Sequence, residues 1–236
     1  MLAIIPARAG SKGVPGKNKA LIGGRPLVDY TVTALERARS VTGIILTSDD
    51  SDILDRYRDS KTVLAVERPE AIAKDDSTTA EAVSHALEVW QQLGRDIPDT
   101  LFVAQPITPL RTAADIDAAY DQFKRAGCES LISACLAEGI RHPSGMYRFK
   151  DGRGTPFIAG AEQSTLRQDL EAVYQRNGAI YLVTTEFFRR TGLLRSDNPE
   201  IYEMPWERSI NIDVPGDLMI AKALIESGAL DDEAAR

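Results

Sequence analysis

Residues 8–18 read Arg-Ala-Gly-Ser-Lys-Gly-Val-Pro-Gly-Lys-Asn, a mixture of glycines and cations suited to wrapping a polyphosphate. Glycine lets backbone N–H groups turn toward phosphate oxygens, and the basic side chains add charge that the backbone lacks. Lys17 suits a point-charge contact, whereas the planar fork of Arg8 suits bidentate phosphate binding. Between Arg8 and Arg25 there are five basic residues (Arg8, Lys12, Lys17, Lys19, Arg25) and no acidic one, in a chain whose net charge is −7. That unevenness reads either as a local anion site or as a solvated basic loop. Counting excludes two common phosphate motifs. Five residues separate Gly10 from Gly16 and Asn18 follows Lys17, so the Walker spacing fails. Gly10, Gly13 and Gly16 are evenly spaced, so the dinucleotide fingerprint fails too.

Other residues with chemical potential are sparse. The only histidines are His85 and His142, and the only cysteines are Cys128 and Cys135. No Ser/His/Asp or Cys/His nucleophile can be assembled from so few, and the thiols are expected to be reduced and without a disulfide or zinc role. Ser77, Thr78 and Thr79 precede Glu81 in a pattern that serves either as ligand hydroxyls or as a helix cap; Asp76 or Ser77 could be the cap itself. Gln105 and Arg111 follow a buried strand, where polar side chains call for a ligand.

The elements that must position these residues alternate. Apolar runs at Met1–Ala7, Gly43–Thr47, Thr62–Val66, Thr100–Ala104 and Ser130–Ala134 read as buried strands. Helical spacing is expected over Leu27–Arg39, Asp50–Asp59, Thr79–Leu93 and Ala113–Gly127. This rhythm predicts an α/β fold whose parallel sheet is covered on both faces and binds ligands at the carboxyl ends of its strands. The stretch 138–171, rich in Gly, Pro and charge, breaks the rhythm and reads as an excursion with a strand-like piece at Met146–Phe149. Regular structure returns with a strand at Gly178–Val183, a helix at Thr185–Thr191, a strand ending at Ile212 and a helix at Gly216–Ser227. One domain spanning 1–236 is expected, with its tail from Asp231 frayed.

The 236 residues are 43% hydrophobic and 27% charged, as in ordinary globular chains. The acidic balance argues against a nucleic-acid surface. No run approaches a membrane span and no signal-peptide pattern opens the chain, so the expected location is the cytoplasm.

Ile5–Asn18 resembles the signature of the acylneuraminate cytidylyltransferases, the CMP-sialic acid synthetases and their bacterial nonulosonic acid relatives. Further blocks resemble the family in order: Arg68-Pro69 with Asp75–Thr79, Gln105–Thr112, Arg167–Leu170, Asn177–Tyr181 and Ile210–Asp213. The similarity covers nearly the whole chain. It implies a Rossmann-like, three-layer nucleotidyltransferase fold with a mostly parallel sheet and a protruding dimerisation arm at about 138–171. The implied reaction joins CMP from CTP to the anomeric hydroxyl of a nine-carbon, sialic-acid-type 2-keto acid and releases pyrophosphate.

By that resemblance, Arg8, Lys17 and Asp213 carry the chemistry. Pro6, Ala7, Arg8, Ser11, Lys12, Lys17, Asn18, Arg68, Ser77 and Thr79 hold the nucleotide. Gln105, Arg111, Arg167, Gln168 and Tyr181 face the sugar, although Tyr181 could equally belong to the core. Mg²⁺ is the implied cofactor. The family's metal site is an Asp-Ile-Asp pair; here Asn211 replaces the first aspartate and only Asp213 remains. Asp217 reads as a partner of the helix dipole rather than a ligand. His142 and Pro143 resemble the arm that reaches a neighbouring subunit, with Gly145 where a lysine is usual, implying a homodimer with arm exchange. Two alternatives stand beside this reading. One is a CMP-Kdo-type synthetase acting on an eight-carbon acid, which Ser11-Lys12-Gly13 disfavours against the usual Ser-Thr-Arg. The other is a non-catalytic nucleotide-binding homologue, which only Asn211 supports.

Overall fold

The computed structural model describes residues 1–10, 13–158 and 170–228. Its strands are β1 (Leu2–Pro6), β2 (Leu21–Ile22), β3 (Arg25–Pro26), β4 (Gly43–Ser48), β5 (Val63–Glu67), β6 (Thr100–Val103), β7 (Ser130–Leu136), β8 (Tyr147–Lys150), β9 (Arg153–Pro156), β10 (Tyr174–Thr184) and β11 (Glu200–Glu203). The helices are α1 (Leu27–Arg37), α2 (Ser51–Tyr57), α3 (Thr79–Gln92), α4 (Ala113–Ala126), α5 (Thr185–Thr191) and α6 (Pro215–Glu226). Seven strands form one sheet in the order β11-β7-β10-β6-β1-β4-β5. All its pairings are parallel except the two made by β10, which runs antiparallel to β6 and β7.

Alternating residues of β1 feed two cores, because successive strand side chains point to opposite faces. Ala3 and Ile5 pack with α1, α2 and α4 through Val32, Ile53 and Phe123. Leu2 and Ile4 pack with α3 and α5 through Val83, Trp90 and Phe187. The result is helix, sheet, helix. Each fully buried Leu or Ile here contributes roughly 1.5–3 kcal/mol relative to an exposed one. A third apolar cluster, including Val14, Ile22, Leu110 and Ile212, seats the glycine loop against α6.

Helix starts are chemically marked. Thr78 caps α3 and Thr112 caps α4; in each case the residue at the third helical position, Glu81 or Asp115, returns the bond as a capping box. Thr78, not Asp76 or Ser77, is therefore the cap before α3. Asp217 accepts from the N–H groups of Asp213 (2.8 Å) and Val214 (2.9 Å) at the start of α6, the expected dipole role.

Two expectations are corrected. Ile210–Asp213 forms no strand: Ile210 and Ile212 are buried, but the segment is tied to the loop after β6 by Ile212 N–H donating to Ile107 O at 2.8 Å. The additional sheet strand is instead β11, a short edge segment between Pro199 and Pro205. In the excursion, 3₁₀ turns at Gly139–Arg141 and Pro143–Gly145 lead into the β8–β9 hairpin, whose two strands pair only with each other.

Candidate active site

The loops after β1, β5 and β6 surround a cavity of about 370 Å³ lined by Pro6, Arg8, Gly13, Lys17, Asn18, Arg68, Ser77, Thr78, Thr79, Gln105, Pro106, Ile107 and Asp213. It opens at the carboxyl ends of parallel strands, where an α/β sheet presents its ligand crevice. Three of its side chains are cationic and one is a carboxylate, so the cavity is positive within an acidic protein.

Arg8 is held at one side by Asp75, with Nη1 3.1 Å from Oδ1 and 3.1 Å from the Lys74 carbonyl. Asn18 Nδ2 donates to the Arg8 carbonyl at 2.9 Å, closing the loop on itself. Lys17 is buried; its ammonium donates to the carbonyl of Ile212 and lies 3.4 Å from Asp213 Oδ1. An ammonium has three donors, so one remains for an anionic oxygen. Gly13 lies so close to this segment that a Cβ on it would fall 1.9 Å from the Asp213 carbonyl oxygen; no other residue fits that conformation.

Arg68 is buried, with Nη2 donating to the Thr47 carbonyl at 3.1 Å. Burial pushes its guanidinium pKa down, the charge of Asp49 opposing. Ser77 Oγ accepts from Lys74 N–H at 3.1 Å, which shapes the turn before α3. Ala7 is buried, its carbonyl accepting from Ser48 Oγ at 2.6 Å.

Across the cavity, Gly178 sits in a bulge of β10, where the register with β7 shifts between Arg176 and Tyr181. Its φ of +77° suits glycine, and the nearest atoms to a Cβ there would be Asn211 Nδ2 at 3.6 Å and Gln105 Oε1 at 3.8 Å. Asn177 pins the bulge: its Oδ1 accepts from Ser133 Oγ (2.6 Å) and Ala179 N–H (3.1 Å), and its Nδ2 donates to Ser209 Oγ (2.8 Å).

The structure thus brings together Pro6, Arg8, Lys17, Asn18, Arg68, Ser77, Thr79, Gln105 and Asp213, with Asn211 adjacent. It does not bring Arg111 or Tyr181 to the cavity. Arg111 is interior, donating to Ala179 O, to Thr31 Oγ1 (2.9 Å) and to Thr108 Oγ1 (3.3 Å). Tyr181 packs in the core with Val103 and Ile132. Ser11, Lys12, Arg167 and Gln168 lie outside the described residues. Three site residues escape sequence reasoning: Asp75, which holds Arg8, and Gly13 and Gly178, which allow the close approaches. Each lies inside a block that resembles the family: Gly13 in Ile5–Asn18, Asp75 in Asp75–Thr79 and Gly178 in Asn177–Tyr181.

Asn211 Oδ1 is a buried acceptor with no partner among the described residues. Two residues further along the chain is Asp213, its carboxylate side chain 65% exposed. Among the described residues no group of three or more His, Cys, Asp or Glu could hold a metal. One carboxylate and one orphaned amide oxygen fit the sparse oxygen donor set with which proteins hold Mg²⁺ alongside substrate phosphates.

The fold is that of an α/β protein with a cationic, glycine-lined cavity at the strand ends of a mostly parallel sheet. Residues 2–93 match the family model described as Cytidylyltransferase. The chain is 29% identical over 240 residues to the CMP-N,N'-diacetyllegionaminic acid synthase of Legionella pneumophila, covering 96% of each. It is 26% identical over 219 residues to an N-acylneuraminate cytidylyltransferase of Streptococcus agalactiae, covering 92% of this chain and 51% of that one. It thus spans about half the length of that relative. A pseudaminic acid cytidylyltransferase of Campylobacter jejuni is 25% identical, with 94% and 95% covered. Among solved structures, CMP:2-keto-3-deoxy-manno-octonic acid synthetase complexed with CTP superposes with a TM-score of 0.70 at 15% identity, over 96% of this chain and 98% of the other. A 4-diphosphocytidyl-2C-methyl-D-erythritol synthase gives 0.68 at 17% identity. The structural likenesses confirm the three-layer fold, and the sequence matches show similarity to cytidylyltransferases over 92–96% of this chain.

Proposed function

We propose that this protein transfers CMP from CTP to the anomeric hydroxyl of a nine-carbon, sialic-acid-type 2-keto acid. The observation that carries the proposal is the cavity itself: it is lined by Arg8, Lys17 and Arg68 together with Ser77–Thr79, and by Gln105, against which Gly178 and Asn211 lie. The sequence relatives act on acids of this class.

In the proposed reaction the anomeric hydroxyl gives up its proton to solvent and its oxygen bonds to the α-phosphorus, while the bond to the bridging oxygen of pyrophosphate breaks and pyrophosphate leaves with that electron pair. The protein's part is to position the groups and stabilise charge. Lys17 offers its remaining N–H to phosphate oxygens, and Arg8 neutralises departing charge after exchanging its contact with Asp75. Arg68 and the Ser77–Thr79 segment bind the nucleoside. Asn211 Oδ1 and Asp213 would hold Mg²⁺, which when bound neutralises phosphate charge. Arg167 and Gln168 are assigned to the sugar by family likeness alone.

The same reading includes a homodimer. The β8–β9 hairpin exposes Phe149 (80%) and Tyr147 (55%), apolar surface that a second copy would cover. Among the described residues no helix is long and apolar enough to cross a membrane, and a CTP-dependent reaction of this kind belongs in the cytoplasm.

Incubation with CTP, Mg²⁺ and N-acetylneuraminate or a legionaminate, followed by phosphorus NMR, tests the proposal. A phosphodiester resonance of a CMP-sugar is expected. Intact CTP with every acid would refute it.

A further inference from the structure

Arg111 is 1% exposed and heads the largest fully buried side chains of the described residues. Its surroundings are unusual for a cation. The guanidinium lies 5.6 Å from the centre of the Phe102 ring, and its Nε has no partner among the described residues. Asp115 attracts it but makes no hydrogen bond to it: that carboxylate is taken by Arg208 (2.8 and 3.0 Å) and by Thr112. Burial lowers the guanidinium to about 10. A buried charge without a bonded counter-ion adds little stability over an apolar side chain of similar volume.

What the arginine does provide is a three-way brace. One donor reaches Thr31 in α1; another serves both Thr108 Oγ1 and the carbonyl of Ala179. Thr108 Oγ1 in turn donates to the Gln105 carbonyl (3.4 Å), and Ala179 follows Gly178. Both segments bound by Arg111 therefore back the Gln105 side of the cavity: Gln105 lines it, and Gly178 lies against Gln105 and Asn211. The nucleotide half, with Arg8, Arg68 and Ser77–Thr79, receives no bond from it.

We infer that Arg111 is a positioning residue for the sugar half of the site: it sets the gap between the Gln105 loop and the Gly178 strand without touching either substrate. This inference rests on the function proposed above for its kinetic consequence, but not for its structural one.

The test compares Arg111→Met, Arg111→Lys and Thr108→Val, the last removing the hydroxyl that links Arg111 to Gln105 while leaving the Thr31 and Ala179 contacts in place. In Arg111→Met the KM for the acidic sugar should rise about 10- to 100-fold, the usual range when a group supporting a ligand contact is lost. The dissociation constant for CTP should stay within about twofold, because the brace does not reach that half. Arg111→Lys should recover part of the loss, and Thr108→Val should shift the same parameter in the same direction. Hydrogen exchange supplies a readout independent of turnover: amides at 105–112 and 177–181 should exchange faster in Arg111→Met, while those at 68–81 keep their wild-type rates. An unchanged sugar KM with unchanged exchange would overturn the inference, as would a parallel loss of CTP affinity. If Arg111→Met does not fold, Arg111→Lys and Thr108→Val decide by the same criteria. Should the wild-type protein turn over no acidic sugar, the proposed function fails while the exchange comparison still decides the positioning role.

Discussion

The ammonium of Lys17 donates to the carbonyl of Ile212, joining the glycine loop at one end of the chain to the Asn211–Asp213 segment 195 residues away. With Gly13 seated on the Asp213 carbonyl, this contact joins the glycine loop and the Asn211–Asp213 segment into one unit. Substituting Lys17 by Met removes the charge proposed to meet the phosphates and leaves the Ile212 carbonyl without this donor. Turnover should fall about 100- to 1000-fold, the effect of losing one charge-stabilising donor. Stability should fall by about 1–3 kcal/mol, the cost of an orphaned buried acceptor. Pyrophosphate release and thermal melting measure the two separately; near-normal turnover would remove Lys17 from the mechanism.

Asn211 Oδ1 has no partner among the described residues, and Asp213 follows two residues on. Asn211→Asp adds a second negative charge, so the Mg²⁺ concentration for half-maximal activity should drop severalfold. Titrating Mn²⁺ into the nucleotide-free protein and following water relaxation gives the same comparison without turnover. Equal Mn²⁺ binding by both forms would show that position 211 does not contribute to the metal.

Asp117 in α4 accepts from Ser40 N–H (2.9 Å), Ser40 Oγ (2.7 Å) and Arg39 N–H (3.2 Å), tying α4 to the loop after α1. Partial burial alone would raise its pKa; these hydrogen bonds outweigh that and hold it below the ordinary 3.8. A carboxyl depressed in the folded state contributes stability above its unfolded value and loses it as pH falls through the folded one. Asp117→Asn should therefore destabilise by about 1–2 kcal/mol near neutrality, as for lost hydrogen bonds to a charged group. The two melting curves should converge as pH falls below the depressed folded-state value, once both forms are uncharged. A constant difference across that range would contradict the assignment.

Phe149 projects from the β8–β9 hairpin at 80% exposure. If the hairpin is an intersubunit arm, Phe149→Asp places a charge in an apolar interface and should shift sedimentation from dimer toward monomer. An unchanged dimer would place the interface elsewhere. His142 does not reach outward from this region: Ser144 N–H donates to its Nδ1 (3.2 Å), leaving Nε2 to donate to the Glu171 carbonyl (3.1 Å), so the ring is occupied within its own chain.

Most of the scaffold was legible because apolar periodicity and turn residues act locally. Thr185–Thr191 forms a helix over the expected residues, and the strands after α1, α2 and α3 begin within one residue of their expected starts. Strand direction was not legible, since the apolar run of β10 would read the same parallel or antiparallel. β11 was missed because a short edge strand with alternating exposure lacks an apolar run. At the site, Arg68 came only from the family resemblance, whereas Arg8 and Lys17 were legible from the composition of the glycine-rich loop and Gln105 from its place at the end of a buried strand. Arg111 stands in the same kind of place, yet folds inward, and only the positions of Thr31 and Ala179, distant in sequence, reveal that. Gly13 and Gly178 depend on what a missing Cβ would strike, which no local pattern encodes.

The central claim is CMP transfer to a nine-carbon acid, and pyrophosphate release from CTP and Mg²⁺ with a panel of N-acetylneuraminate, legionaminate, pseudaminate and Kdo tests it most directly. The account predicts release with a nine-carbon acid at a kcat/KM well above that for Kdo. Release with Kdo alone, or no release with any acid despite tight CTP binding, would contradict it.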